Sequence, residues 1–167
     1  KKYGETICIG YTTFLHGIWI CQQTPIVKRI LSDNYVTSLY MEQHSQQIEL
    51  SVVIPTCNEE GNIFAMYERL GAVMAQCSCS NYEFIFVDDG SSDASLSRIQ
   101  ELRAKDSRVK FIQLSRNFGH QNALKAGLDH AQGAGVISMD ADLQHPPELI
   151  PTLVEKWKAG FEVVYTI

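Results

Sequence analysis

The chain has 167 residues, of which 45% are hydrophobic and 20% are charged, and its formal net charge is −5 at pH 7. This composition suits one globular domain and excludes a repeat or low-complexity protein. Residues 1–40 contain four basic and two acidic residues, a net charge of +2, so residues 41–167 carry the remaining −7; a body this acidic offers no footprint for a nucleic-acid backbone.

The N-terminal residues lack the regular pattern found in the rest of the chain. Polar residues interrupt the apolar stretch at 6–20, which shows no obvious signal-peptidase site and is too short and polar to cross a bilayer. Met41 stands just before a polar spacer and the first clear strand, so we hypothesise that residues 1–40 lie upstream of the natural start. We therefore assign residues 1–48 to an N-terminal extension of unknown role and residues 49–167 to the folded domain.

From Glu49 onward, short apolar runs alternate with helical patterns. The apolarity of the runs is continuous, which indicates strands buried on both faces in a mainly parallel sheet covered by helices. The five predicted strands are LSVVIP (50–55), YEFIFV (82–87), VKFIQL (109–114), GVISM (135–139) and FEVVYTI (161–167).

Four helices are predicted between these strands. Within 59–77 the apolar residues recur at spacings of three and four, so this stripe faces the core. Residues 96–102 and 124–131 mark the second and third helices, and Pro146-Pro147 suits the start of a fourth helix that Gly160 ends. The order predicts a doubly wound α/β fold with helices on both faces of the sheet.

Polar segments follow each of the first four predicted strands. They are PTCNEE (55–60), DDGSSD (88–93), SRNFGH (115–120) and DAD (140–142). In such sheets ligands bind at the carboxyl ends of the strands, near the point where strand order reverses. Asp88, Asp89, Asp140 and Asp142 would crowd four negative charges at that edge, which is unfavourable unless a cation or ligand compensates them. The pattern predicts a metal and nucleotide site there.

Asp140 and Asp142 are the strongest candidates for metal ligands. Residues two apart in extended backbone point to the same side, and two carboxylates suit a hard divalent cation that also binds water and phosphate oxygens. Helix capping is the alternative explanation for this pair, as a simple turn is for Asp89-Gly90. Neither G-x-G-x-x-G nor G-x-x-x-x-G-K-[ST] follows the first strand, so a cation that bridges a pyrophosphate is the economical solution.

Four segments together resemble the inverting family 2 glycosyltransferases of GT-A fold. They are VVIPTCNEEGNI (52–63), VDDGSSD (87–93), LSRNFGHQNALKAGLDHA (114–131) and MDADLQHPPE (139–148). The R-N-F-G-x-x-x-A-L-x-A-G-L pattern is similar to the branch that transfers a sugar from a nucleotide to a polyprenyl phosphate, as dolichol-phosphate mannose synthases and bactoprenol glucosyltransferases do. The resemblance implies that residues 49–167 form the Rossmann-like, nucleotide-binding part of a GT-A domain.

The resemblance also implies roles for individual residues. The positions it assigns to the nucleotide-sugar donor are Pro55, Asn58, Glu59, Asp88, Asp89, Arg116, Asn117 and Gly119. Asp140 and Asp142 would form the catalytic D-x-D that holds Mg²⁺ or Mn²⁺ against the donor diphosphate, with Gln144 completing the metal environment. Cys57 departs from the pattern, because this position is usually Tyr, so contacts between an aromatic ring and the nucleotide would be lost here.

The implied reaction is a metal-dependent, inverting transfer of a hexose, from a donor of the UDP-glucose or GDP-mannose type to a polyprenyl phosphate. An anionic acceptor of this kind needs no strong general base. A complete GT-A domain continues beyond these segments, so we expect this chain to bind the donor and to transfer sugar poorly or not at all. Two alternatives stay open, a non-catalytic nucleotide-binding remnant and a Mg²⁺-binding receiver domain.

The five cysteines indicate the cellular compartment in which the protein is found. Their number is odd, and Cys77-Ser78-Cys79 lacks the second pair or histidine cluster that would complete a zinc site. We expect reduced cysteines, which favour the cytosol. A lipid acceptor would place the intact protein at the cytoplasmic face of the membrane.

Overall fold

Six strands form one sheet within the part of the chain that the computed structural model describes, residues 19–22 and 47–166. They are β1 (Trp19–Gln22), β2 (Leu50–Thr56), β3 (Tyr82–Asp88), β4 (Val109–Gln113), β5 (Gly135–Ser138) and β6 (Val163–Tyr165). Their order is β4-β3-β2-β5-β1-β6. The four strands from β2 to β5 run parallel, whereas β1 is antiparallel to both of its neighbours. The predicted mainly parallel sheet is confirmed.

The predicted helices are also present. They are α1 (Ile63–Met74), α2 (Ser95–Lys105), α3 (His120–His130) and α4 (Ile150–Lys158), the last preceded by a 3₁₀ turn at Pro147–Leu149. Gly160 follows α4 with a φ of +100°, a conformation that glycine adopts without strain, and it ends the helix as predicted. The third helix ends at His130, one residue before the end of the predicted range.

Alternate side chains of the central strands divide the core into two layers. On one face Ile54 and Phe86 belong to the larger apolar cluster, which includes buried residues of α1, α2 and α4. On the other face Val53 and Val87 pack with α3 around Ala123. Helices therefore cover both faces, which explains why β2, β3 and β5 are buried along their whole length.

The last strand differs from its prediction. β6 covers three residues and pairs with β1, which separates it from β5. Val163 and Tyr165 are 59% and 67% exposed, so the expectation of burial on both faces is wrong here. β4, at the opposite edge, is also only partly buried. Both strands are exposed because they lie at the edges of the sheet, where a strand has a neighbour on one side only.

β1 lies within the predicted N-terminal extension, most of which falls outside the described residues. Its backbone pairs with β5 and β6, so residues 19–22 contribute a strand that the sequence did not predict. Within the described residues, no helix has the length and apolarity required to cross a membrane.

A buried polar network ties the strands together near their amino ends, opposite the predicted site. Glu83 is inaccessible to solvent, and its carboxylate accepts hydrogen bonds from Ser51 Oγ at 2.6 Å and Gln132 N at 2.9 Å. Lys110 Nζ lies 2.5 Å from its second oxygen. Ser51 Oγ in turn accepts a hydrogen bond from Gly133 N. The buried carboxylate is thus held by hydrogen bonds at Oε1 and by the Lys110 ion pair at Oε2.

Asp106 directly follows α2 and anchors the turn that leads into β4. The Arg108 guanidinium donates hydrogen bonds to both of its oxygens, and Tyr67 Oη donates another at 2.9 Å. These bonds, the arginine's above all, hold the pKa of Asp106 at about 2 although partial burial opposes the shift. The carboxylate is therefore charged at every pH at which the protein is usually handled.

Candidate functional site

The loops that follow the four parallel strands enclose one cavity at the carboxyl edge of the sheet. Its volume is about 380 Å³. It lies where the strand order reverses, because β3 and β4 stand on one side of β2 and β5 stands on the other. The lining residues are Pro55, Thr56, Cys57, Glu59, Asp89, Asn117, Gly119, His120, Ala123, Asp140, Ala141 and Asp142.

The loop after β2 is fixed to the loop after β3 by hydrogen bonds in both directions. Asn58 adopts a φ of +55°, which asparagine tolerates better than most residues. Its backbone N–H donates to Ser91 Oγ at 3.0 Å, and its Oδ1 accepts from the backbone N–H of Ser92 at 2.8 Å. The Asn58 side chain is thus occupied in holding the neighbouring loop and does not line the cavity.

The same pair of loops shares the start of α2. Asp93 accepts hydrogen bonds from the backbone N–H of Ser95 at 2.9 Å and of Glu60 at 3.1 Å. In the opposite direction, the Glu60 carboxylate accepts a hydrogen bond from Ala94 N at 2.9 Å. Burial raises the pKa of Asp93, but the hydrogen bonds from Ser95 and Glu60 together outweigh it, so the net shift is downward. The two loops therefore form one rigid wall of the cavity.

Asp89 joins this wall to the loop after β4. Its side chain is 3% exposed, and its two oxygens accept hydrogen bonds from Phe118 N at 2.7 Å and Gly119 N at 2.9 Å. Asp88 is also buried, accepts a long bond of 3.4 Å from Ser91 N, and lies outside the cavity lining. The carboxylate of Asp89 thus fixes the loop that begins α3.

Gly90 allows these two loops to approach closely. Its φ is +67°, and a Cβ at this position would lie 2.4 Å from the carbonyl carbon of Arg116 and 2.6 Å from the nitrogen of Asn117. Backbone atoms at that distance cannot yield without moving the whole loop. The Arg116 guanidinium lies over the Phe118 ring, 4.4 Å from its centroid, and is not among the lining residues.

Cys57 and Asn117 meet across the cavity wall. Asn117 Nδ2 donates a hydrogen bond to Cys57 Sγ at 3.3 Å, and its Oδ1 accepts from Gly119 N at 3.0 Å. The thiol is half-buried and lines the cavity. Where a tyrosine would present a ring, this chain presents a small thiol held by an amide.

Two carboxylates and an imidazole form the wall beside β5. Asp140 is 42% exposed, and His120 Nε2 lies 3.6 Å from its Oδ1. Asp142 lines the same cavity, and its Oδ1 accepts a hydrogen bond from Gln144 N at 3.0 Å. Leu143 between them has a φ of +64°, which is strained for a leucine. The strain indicates that the surrounding structure holds this turn in place.

The structure brings together most of the residues that the sequence assigned to the site. Pro55, Glu59, Asp89, Asn117, Gly119, Asp140 and Asp142 line the cavity, whereas Asn58, Asp88, Arg116 and Gln144 do not. The sequence did not single out Thr56, His120 or Ala123, which also line it. His120 is the last residue of the polar segment predicted at 115–120, and its position after a strand was the signal that could have identified it.

The donor atoms at this edge suit a divalent cation. Within the described residues, no three side chains of His, Cys, Asp or Glu converge as a metal centre, so the protein alone does not supply a full ligand set. Two carboxylates that face one cavity are nevertheless the donor set of a Mg²⁺ or Mn²⁺ site in which phosphate oxygens and water supply the remaining ligands. The residues therefore fit such a cation.

Comparisons with known proteins point to one family. The model of the family described as Glycosyl transferase family 2 matches residues 51–167. An uncharacterized glycosyltransferase of Bacillus subtilis, YkcC, is 52% identical over 74% of this chain. A bactoprenol glucosyl transferase of Shigella phage SfV is 43% identical over 70% of it. In both cases the chain spans 38% of the relative's length.

A solved structure supports the fold. A mannosyltransferase from Pyrobaculum calidifontis, in complex with GDP-Man and Mn²⁺, superposes with a TM-score of 0.54. The match covers 69% of this chain and 33% of that one, at 22% sequence identity. This similarity concerns the arrangement of strands and helices, and it agrees with the doubly wound sheet described above.

Proposed function

The chain belongs to glycosyl transferase family 2, and we propose that it supplies the donor-binding part of an enzyme that transfers a hexose from a nucleotide sugar to a polyprenyl phosphate. Residues 49–167 would form that part and residues 1–48 an extension of it. The observation that carries the proposal is the cavity at the reversal of strand order, into which Asp140 and Asp142 both face. The bactoprenol acceptor in the name of one relative suggests the acceptor class.

The nucleotide would occupy the side of the cavity formed by the loops after β2, β3 and β4. Pro55 and Glu59 line it directly, as do Asn117 and Gly119. Behind them the buried Asp89 holds the loop at 118–119 in place. Asn58, Asp88 and Arg116 stand outside the lining and would support this surface. A pocket with so many bonds between its own loops is preorganised, which lowers the entropic cost of binding.

The diphosphate of the donor would lie against the aspartates beside β5. Asp140 and Asp142, helped by the exposed Gln144, would hold a Mg²⁺ or Mn²⁺ ion there. When bound, the cation would neutralise the charge that develops on the departing nucleoside diphosphate. His120, whose Nε2 lies 3.6 Å from Asp140, stands where a ring N–H could donate to a phosphate oxygen.

Transfer with inversion is one displacement at the anomeric carbon. An oxygen of the acceptor phosphate forms the new bond on one face of the sugar as the bond to the diphosphate breaks on the other. The acceptor is already anionic at neutral pH, so the chain needs no strong base beside it. A lipid acceptor would place the complete enzyme at the cytoplasmic face of the membrane.

Calorimetric titration tests the donor site directly. UDP-glucose and GDP-mannose are titrated into the chain with Mn²⁺ and, separately, with EDTA. We expect one donor to bind with Mn²⁺ and to bind much more weakly with EDTA. Replacing both aspartates, Asp140→Ala with Asp142→Ala, should abolish the Mn²⁺-dependent part of the binding.

A matched control removes two carboxylates elsewhere. Glu101→Ala with Asp129→Ala changes the net charge equally, and both residues are exposed partners of i,i+4 ion pairs. This control should bind the donor as the unaltered chain does. Equal loss in both double variants, or binding of neither donor by chain whose circular dichroism shows it to be folded, would contradict the proposal.

A further inference from the structure

The two ring nitrogens of His145 are buried beside Asp140, and neither has a hydrogen-bond partner within the described residues. The side chain is 13% exposed, and both nitrogens are inaccessible to solvent. A buried imidazole without partners destabilises the folded protein, because its nitrogens lose water and gain nothing in exchange. An apolar residue would avoid that cost, so the presence of a histidine here indicates a role other than packing.

The charged group beside His145 is the Asp140 carboxylate. His145 Nδ1 lies 3.8 Å from Asp140 Oδ2, just beyond hydrogen-bond distance. The other oxygen of Asp140, Oδ1, lies on the side of His120. A shift of less than about 1 Å would bring Nδ1 within range of Oδ2. Oδ1 would then remain available to a ligand in the cavity.

The backbone turn between Asp142 and His145 directs the imidazole back toward Asp140. Gln144 N donates to Asp142 Oδ1, and Leu143 takes a left-handed φ of +64°. The Leu143 side chain packs against the larger apolar cluster, which holds the turn. Strain of this kind is retained where the surrounding structure fixes it, often at functional sites.

We infer that His145 is a positioning residue: it donates a hydrogen bond from Nδ1 to Oδ2 of Asp140 and so orients this carboxylate toward the cation. The inference rests on the proposed function, because it takes Asp140 as a ligand of Mg²⁺ or Mn²⁺. A neutral imidazole protonated at Nδ1 is sufficient. Groups that orient a ligating carboxylate in this way typically change metal affinity by about 10- to 100-fold when they are removed.

Three substitutions at one position separate this role from simple packing. His145→Asn places a side-chain N–H close to the former Nδ1, whereas His145→Gln places one close to the former Nε2. His145→Ala removes both. We measure the affinity for Mn²⁺ alone by electron paramagnetic resonance, which counts the free ion and requires neither donor nor turnover. Circular dichroism checks that each variant is folded.

We expect His145→Ala and His145→Gln to weaken Mn²⁺ binding by about tenfold or more, and His145→Asn to stay within about threefold of the unaltered chain. His130→Asn, an exposed substitution in the last turn of α3, should change nothing. Equal affinities for all His145 variants, or equal rescue by Gln and Asn, would overturn the inference. If the unaltered chain binds Mn²⁺ no more tightly than Asp140→Asn does, the proposed cation site fails, and this inference fails with it.

Discussion

Replacing Asp89 tests whether the proposed donor pocket is preorganised by contacts between its own loops. Its carboxylate accepts two backbone hydrogen bonds, from Phe118 and Gly119, in a buried setting. A hydrogen bond to a charged group contributes about 1.5–3 kcal/mol, and removing the acceptor leaves two N–H groups unsatisfied. Asp89→Ala should therefore lower the free energy of unfolding by about 3–5 kcal/mol, and Asp89→Asn, which keeps one acceptor, by about 1.5–3 kcal/mol.

Urea unfolding followed by circular dichroism gives these free energies, and hydrogen exchange reports the two amides individually. The amides of Phe118 and Gly119 should lose protection in both variants. Asp129→Asn, an exposed control on α3, should cost less than about 0.5 kcal/mol. A cost below about 1 kcal/mol for Asp89→Ala, or unchanged exchange at the two amides, would contradict this role of the Asp89 carboxylate.

Three further predictions concern a glycine, a carboxylate and two thiols. Gly90→Ala should destabilise the chain by about 2–3 kcal/mol in urea unfolding, from its positive φ and its backbone contacts, whereas Gly61→Ala, with open space around it, should change stability little. As pH falls from about 4 to about 2, Asp106 loses its stabilising charge. The free energy of unfolding should therefore fall less steeply over this pH range in Asp106→Asn than in the unaltered chain. Cys57 should alkylate before Cys79, whose pKa burial raises to about 12, as mass spectrometry after a brief iodoacetamide pulse would show.

The sequence was most informative where a local pattern determines structure. The apolar runs at 50–55 and 82–87 correspond to strands buried along their whole length, and the polar residues after them lie at one edge. Parallel strands joined by helices present their carboxyl ends together, so the convergence of Asp89 with Asp140 follows from topology. The family resemblance added the order of the motifs and is confirmed by the family match.

The sequence was less informative where the structure depends on contacts between residues that are distant along the chain. The apolar run at 161–167 does not reveal which strand it will join, and β6 pairs with the unpredicted β1 at an exposed edge. His145 gave no signal, since its burial depends on a left-handed turn at Leu143 that no local propensity favours. The anchoring of Asp89 to the 118–119 backbone likewise joins residues that are about 30 positions apart.

In the proposed site, Asp140 and Asp142 hold a divalent cation against a nucleotide diphosphate. Crystals of the chain grown with Mn²⁺ and UDP or GDP, measured at the manganese absorption edge, test it most directly. We expect one anomalous peak within coordination distance of both a carboxylate oxygen of this pair and a phosphate oxygen of the nucleotide. A nucleotide bound in the cavity without that peak, or manganese bound only elsewhere, would contradict it.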